Sequence, residues 1–201
     1  MPDANPTDPF QFFDAWFAEA SASEPSDANA MTVATASPDG LPAARTLLLK
    51  GVDPAGTNPR GFVFYTNKQS RKGDELAANG RTALLFYWKS LARQIRIEGT
   101  VTDVTAAEAD AYFVTRPRIS RLGAWASQQS RSLESRAVLE ARLAALEAKY
   151  PGEAIPRPPH WSGYRLIPRY FEFWQAREFR LHDRLTYTRE GAGWRAARLN
   201  P

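Results

Sequence analysis

The chain has no cysteine and only two histidines, His160 and His182. The first absence excludes a disulfide, a thiolate nucleophile and a cysteine-held metal. The second leaves too few imidazoles for a histidine-rich centre, so no metal site is expected. No apolar run approaches the roughly 18 residues of a membrane span, and no leader-like stretch is present. A soluble cytoplasmic protein without a membrane partner is the expectation. Also missing are a glycine-rich dinucleotide loop, a P-loop and a G-x-S-x-G element, which argues against NAD, ATP and serine-hydrolase chemistry. Nor are the cations massed. They outnumber the anions 26 to 22, for a net charge of +4, and lie scattered singly and in pairs. That distribution favours small phosphorylated ligands over a nucleic-acid track.

What is present is enough apolar material, 43% of 201 residues, for one domain with a sizeable core. Of the 26 cations 21 are arginine, the side chain suited to bidentate phosphate contacts, although codon bias yields the same excess. Residues 1–8, polar and proline-containing, are expected to be disordered. Residues 9–201 are expected to form a single domain, with the proline-rich 151–160 as a stiff linker to the C-terminal strands.

Asp8-Pro9 predicts the cap and first turn of a helix with Phe10, Phe13, Trp16 and Phe17 on one face. MTVATA and ARTLLLK, joined at Pro38-Asp39-Gly40, read as a hairpin, and GFVFYT as a further strand. Ser70–Asn79 reads as a short helix stopped by Gly80. RTALLFYW and RQIRIEGTV follow as strands. Thr105 and Glu108 form a capping box for a helix that Pro117 must end. A short helix in ISRLGAWASQQS precedes a longer one from near Ser132, striped by Leu139, Leu143, Leu146 and Tyr150. Four short strands close the chain: WSGYRLI, RYFEFWQ, the LHDRLTYT region and GWRAARL. Strands dominate in hairpin-like succession, so the expected fold is predominantly β, an antiparallel barrel decorated by helices.

Several placements carry chemistry. If WQAREFRLHDR (174–184) is one extended run, Arg180, His182 and Arg184 share a face with Trp174. Such a cluster is costly unless an anion sits against it; a solvated strand face is the alternative. Arg71 and Lys72 fall in the first turn of a helix, where the macrodipole disfavours cations unless a phosphate binds there; solvent screening of an exposed pair is the other reading. Arg45 and Lys50 bracket Leu47–Leu49 with opposite parity, so they serve different faces. Tyr112 and Arg116 are neighbours on a helix surface that Ser120 can rejoin, which suits a phosphate ester, or simply a tyrosine packed on an arginine stem. Gln94, Gln129 and Ser130 could read the edge of a heteroaromatic ring.

The blocks RTLLLK (45–50), FYTNKQSRKG (64–73), RQIRIEG (93–99), YFVTRPRISRLGAWASQQS (112–130) and FWQAREFRLHDRL (173–185) resemble the pyridoxamine/pyridoxine 5'-phosphate oxidase family, in the family's order and spacing. The resemblance covers nearly the whole chain. It implies an FMN-binding split β-barrel, antiparallel and Greek-key-like, and a homodimer with FMN at its interface. It implies that Arg45, Arg71 and Lys72, with Gln129 and Ser130 from the partner subunit, hold the FMN phosphate. The backbone of Thr46, Leu47, Leu48 and Leu49, together with Tyr65, Thr66 and Gln94, would line the flavin, and Trp174 and Arg184 would close it. Lys50 also belongs to that cofactor-lining run, but its main task would be the substrate phosphate, shared with Tyr112, Arg116 and Ser120. Arg180 and His182 would flank the substrate ring as the catalytic pair. The implied reaction is oxidation of pyridoxamine or pyridoxine 5'-phosphate to pyridoxal 5'-phosphate, with dioxygen as acceptor and hydrogen peroxide released. A related flavin oxidase acting on another ring, or a non-catalytic FMN- or pyridoxal-phosphate-binding protein, is the alternative. Family members often carry a longer N-terminal segment over the substrate. Here residues 1–8 hold no arginine or tyrosine, so a looser hold on substrate is expected.

Overall fold

The computed structural model describes residues 7–201; the disorder expected of residues 1–6 falls outside them. Asp8 is placed, and its side chain accepts the Phe10 N–H at 2.9 Å to cap α1 (Pro9–Ser23). Proline at the first helical position lacks only an N–H that has no helical partner in any case. One face of α1 drives Phe10, Phe13 and Trp16 into the core as expected, and Phe12 with them. Burying each such ring stabilises by about 2–3 kcal/mol.

The nine strands are β1 (Ala30–Ala36), β2 (Pro42–Leu48), β3 (Gly51–Val52), β4 (Phe62–Asn67), β5 (Arg81–Trp88), β6 (Arg93–Asp103), β7 (Trp161–Gln175), β8 (Asp183–Glu190) and β9 (Gly193–Arg198). They form one antiparallel sheet in the order β2-β1-β5-β6-β7-β4-β3, with β8 and β9 branching from β7, and the sheet curls into a half-barrel. The β1–β2 hairpin turns at Pro38-Asp39-Gly40, where Gly40 takes a φ of 88°. The inner face buries Met31, Val33, Leu84, Phe86, Ile95, Ile97, Tyr164, Leu166, Phe171 and Phe173 against α1.

Helices α2 (Arg71–Ala78), α3 (Ala106–Val114), α4 (Arg118–Ala126) and α5 (Arg136–Lys149) complete the chain. Ser70 caps α2, and the Thr105–Glu108 capping box is formed at α3. The C-terminal cap of α2 is Asn79 rather than Gly80, and α5 starts at Arg136 behind a Ser135 cap rather than near Ser132. Leu143, Leu146 and Tyr150 pack on a second apolar cluster of Phe113, Leu122, Ile155 and Trp161.

Three expectations change. WSGYRLI and RYFEFWQ are one fifteen-residue strand, β7, not two. Pro168 cannot donate to the ladder, and the strand passes it with a register shift: Gly99 faces Pro168, Glu98 faces Tyr170, and Arg169 is the extra residue. Gly99 is required there, since a Cβ would lie 2.1 Å from the Ile167 carbonyl oxygen. Second, the 151–160 stretch is a strap held to the body rather than a linker. Ile155 is buried, Trp125 Nε1 donates to the Pro156 carbonyl at 2.8 Å, and Arg121 donates to the Glu153 carbonyl at 2.7 Å. Prolines lose their N–H donors, but carbonyls along the segment still accept. Third, residues 174–184 are not one extended run. β7 ends at Gln175, a 3-10 turn spans Glu178–Arg180, and β8 begins at Asp183. Phe179 and Leu181 are exposed at the tip, because the chain reverses there instead of continuing along the core.

Candidate active site

A cleft of about 450 Å³ opens between the β2 end, β4, α3 and α4. Lys50, Tyr112, Arg116 and Ser120 line it together with Leu47, Leu48, Tyr65, Thr66 and Gln129. Residues drawn from three separate sequence blocks, 45–50, 64–73 and 112–130, therefore share one cleft. Lys50 lies just past the end of β2, where the chain leaves the ladder that still holds Arg45. Arg116 follows α3 and carries its guanidinium over the Trp161 ring at 4.8 Å. Its Nη1 is buried without a hydrogen-bond partner among the described residues, and burial lowers its affinity for its proton. A buried cation with a vacant donor costs free energy until an anion meets it.

Beside the cleft, Lys72 is also buried. Its ammonium donates to Gln129 Oε1 at 2.5 Å, Ser70 Oγ at 3.1 Å and Thr66 Oγ1 at 3.2 Å. Burial, reinforced by Arg45, pulls its pKa down to about 8, against an opposing pull from Glu75. Arg45 and Arg71 both reach the buried Glu75 carboxylate, at 3.2 and 2.7 Å, and Thr35 donates to it as well. Burial pushes that carboxyl up, but the donors from Thr35, Arg71 and Arg45 outweigh it, and it stays below its ordinary range. Glu75 thus aims two guanidiniums beside the start of α2. Arg71 remains largely exposed, so of the expected first-turn pair only Lys72 points inward.

Gln129 was expected from a partner subunit. Within one chain Gln129 already lies against Lys72, and Arg131 ties the loop after α4 back to the Gln69 carbonyl (2.9 Å) and Asp74 (3.0 Å). Ser130, next in that loop, has a φ of 68°.

A second group lies elsewhere on the sheet. Gln94, Trp174 and Arg184 are side by side across β6, β7 and β8, as their register pairs them. Arg184 donates to Glu172 at 2.8 Å, and Arg96 takes the other oxygen of the same carboxylate at 2.8 Å. Burial pushes Glu172 up, and the hydrogen bond from Arg184 with the charge of Arg96 brings it below its ordinary range. The His182 ring lies 4.7 Å from that of Trp174, and its Nδ1 accepts the Arg177 N–H at 3.2 Å. Arg180 stands exposed on the turn with a φ of 62°. Of the expected neighbours Trp174, His182 and Arg184 do meet, through a hairpin rather than strand parity, while Arg180 stands apart on the turn. None of the five lines the cleft.

The sequence matches the profile of the family described as "Pyridoxamine 5'-phosphate oxidase" over residues 17–150. The chain belongs to that family. Residues 161–201 match the "Pyridoxine 5'-phosphate oxidase C-terminal dimerisation region". A pyridoxine/pyridoxamine 5'-phosphate oxidase of Gluconobacter oxydans (strain 621H) is 61% identical, over 96% of this chain and 94% of its own length. The fold is also that of PhzG from Burkholderia lata 383, solved with tetrahydrophenazine-1-carboxylic acid: TM-score 0.90, 36% identity, 99% of this chain and 95% of that one. A pyridoxamine 5'-phosphate oxidase-related, FMN binding protein of Nostoc punctiforme PCC 73102 shares the fold at TM-score 0.76 and 21% identity, over 98% of this chain and all of that one.

Within this oxidase-family fold the sequence reading missed Thr35, Glu75, Glu172 and Trp161. Glu75 was open to detection, four residues after Arg71 on one helix face. Trp161 carried no signal, because its partners come from β4 and α3.

Proposed function

We propose that the chain oxidises pyridoxamine and pyridoxine 5'-phosphates to pyridoxal 5'-phosphate, with FMN as cofactor and dioxygen as electron acceptor. The observation that carries this reading is the gathering of Lys50, Tyr112, Arg116 and Ser120 around one cleft, with the buried Arg116 Nη1 lacking a partner among the described residues. A substrate without a phosphate has no need of that set. The adjoining Arg45, Arg71, Lys72 and Gln129 fit a second phosphate, that of FMN, since two guanidiniums and a partly desolvated ammonium converge there. At about 1.5–3 kcal/mol for each charged hydrogen bond, three or four contacts approach the ~8 kcal/mol of micromolar binding.

FMN, when bound, supplies the two-electron acceptor that dioxygen regenerates with release of hydrogen peroxide. The chain's part is position. Lys50, Tyr112, Arg116 and Ser120 fix the substrate phosphate and so the distance of the C4' carbon from the reacting face. Arg180 orients the substrate ring and stabilises charge that develops near the reacting carbon. Because His182 Nδ1 already accepts an N–H, the neutral ring carries its proton on Nε2. His182 therefore meets substrate as a hydrogen-bond donor, an orienting role rather than that of a base.

The site is shared between two copies of the chain. Trp174 lies thirteen residues beyond Trp161 on the same strand, about 40 Å of contour. We accordingly assign the cleft and the Lys72 group to one protomer, and Gln94, Trp174, Arg180, His182 and Arg184 to its partner in a homodimer. Mixed dimers test this. At limiting FMN, where Lys72→Met and Arg184→Ala chains are each impaired alone, isolated mixed dimers of the two should regain about half of wild-type activity, since one of the two sites is then whole. No recovery overturns the assignment. We place the enzyme in the cytoplasm, which cell fractionation checks.

Anaerobic mixing of the FMN-loaded protein with pyridoxamine 5'-phosphate tests the reaction itself. The flavin absorbance should bleach and return on admission of air with stoichiometric peroxide. Bleaching by a reduced phenazine carboxylate but not by the vitamin phosphates would move the enzyme to the phenazine branch of the fold.

A further inference from the structure

The cleft wall contains an aromatic pile whose purpose the reaction does not explain. Tyr65 on β4, Tyr112 and Trp161 form one three-ring group: the Tyr65 and Tyr112 centroids lie 4.2 Å apart with planes at 16°, Tyr65 and Trp161 5.3 Å at 2°, and Tyr112 and Trp161 6.2 Å at 13°. Trp161 and Tyr65 come together because β4 and β7 pair with Asn67 opposite Trp161 and Tyr65 opposite Gly163. Glycine at 163 is what allows it: a Cβ there would lie 2.7 Å from Tyr65 Cδ1. Phe113 meets Trp161 edge-on at 5.0 Å and seats the indole from behind. The Arg116 guanidinium lies over the indole, 4.8 Å from carbon to ring centroid, and 5.7 Å from the Phe113 ring.

We propose that Trp161 is a positioning residue for the substrate phosphate. Its indole carries Arg116 by a cation–π contact and braces Tyr112 within the same three-ring group, so two of the four phosphate ligands are placed by one buried ring. The inference rests on the reading of Lys50, Tyr112, Arg116 and Ser120 as the substrate-phosphate set. The physical case is that Arg116 has no carboxylate partner among the described residues. Arg45, Arg71, Arg96, Arg165 and Arg184 are each aimed by an acidic side chain. A carboxylate beside Arg116 would compete with the incoming phosphate. A π face orients a guanidinium without occupying its in-plane N–H donors, which stay available for the ligand.

The test uses the full-length, FMN-loaded protein. A trifluorinated tryptophan introduced at position 161 alone keeps the shape of the indole while draining its π face. KM for pyridoxine 5'-phosphate should rise about tenfold, the expected size of a desolvated cation–π contact. The dissociation constant for inorganic phosphate, measured calorimetrically, should rise in parallel. The kcat and the FMN dissociation constant should stay within about twofold. Trp161→Phe should fall between wild type and Trp161→Leu in both phosphate readouts, with Trp161→Leu also losing thermal stability. Unchanged phosphate affinity in the fluorinated protein overturns the proposal, as does a loss confined to kcat. Arg116→Gln separates the two layers. If it raises KM while the fluorinated ring does not, only the role of Trp161 fails. If Arg116→Gln leaves KM and phosphate binding untouched, the substrate-phosphate reading fails, and this inference with it.

Discussion

The Lys72 cradle and the Trp174 face are built on opposite plans. The cradle is folded inward. Lys72 is buried among Thr66, Ser70 and Gln129, and Glu75 holds Arg45 and Arg71 in place before any ligand arrives. The face is turned outward, with Gln94, Trp174 and Arg184 set by strand register and Arg180 exposed on a turn. A preformed cradle loses little entropy on binding and suits a cofactor that stays. An exposed turn suits groups that must admit and release substrate at every cycle.

The largest effect that separates the two belongs to Arg180→Ala. Its kcat/KM for pyridoxine 5'-phosphate should drop about a hundredfold, with FMN affinity changed less than twofold. An equal loss in flavin titrations would erase the division. Lys72→Met should do the reverse, weakening FMN about thirtyfold, or roughly 2 kcal/mol, while kcat at saturating FMN holds. Lys72 also gives the cradle a pH signature. Its pKa is lowered from 10.5 to about 8, so between those values the unliganded folded chain binds fewer protons than the unfolded one. The penalty of burying the charge is complete below pH 8 and is relieved as pH climbs toward 10.5. The thermal midpoint of FMN-free protein should therefore gain over that window, and FMN affinity should decline above pH 8. Both trends should vanish in Lys72→Met.

On the outward face, Glu172→Gln strips Arg184 and Arg96 of a shared buried carboxylate and should cost about 1–2 kcal/mol in chemical denaturation. It should also loosen FMN through Arg184. Loss of stability with FMN affinity intact would mean that Glu172 serves the sheet alone. The smallest effect is expected away from both groups, at Glu108. Its carboxyl is drawn down to about 2, first by the hydrogen bond from Arg165 and then by those from Thr105. The stability it lends is present above its ordinary value of 4.5 and is lost as pH falls toward 2. Glu108→Gln should flatten that acid limb in thermal scans and leave turnover at neutral pH unchanged.

The sequence was most informative where local rules dominate. The Asp8 cap, the Thr105–Glu108 box, the Ser70 cap and the Pro38-Asp39-Gly40 hairpin depend on neighbours a few residues away, and all are present as read. Lys50, Tyr112, Arg116 and Ser120 could be grouped because the family's blocks preserve them, and the cleft does collect them. What stayed hidden depends on long-range pairing. Periodicity continued through residues 174–184 because apolar residues fall at alternate positions, yet Phe179 and Leu181 are surface residues of a reversal. The contact of Gln129 with Lys72 of its own chain was not legible, because only Arg131's tie to Asp74 and Gln69 reveals which way the loop folds.

The extra residue at Arg169 has a consequence for both ends of β7. Ahead of it, even-numbered side chains such as Tyr164 and Leu166 enter the core; behind it, odd-numbered Phe171 and Phe173 do. That single insertion switches the parity, so Trp161 at one end and Trp174 at the other look out from the same side although an odd number of residues separates them. Replacing Arg169 by another amino acid keeps the count and should be tolerated. Deleting it would turn two phenylalanines toward water and drive Glu172 and Trp174 inward, dismantling one half of the proposed site while every residue of the other half remained in the chain.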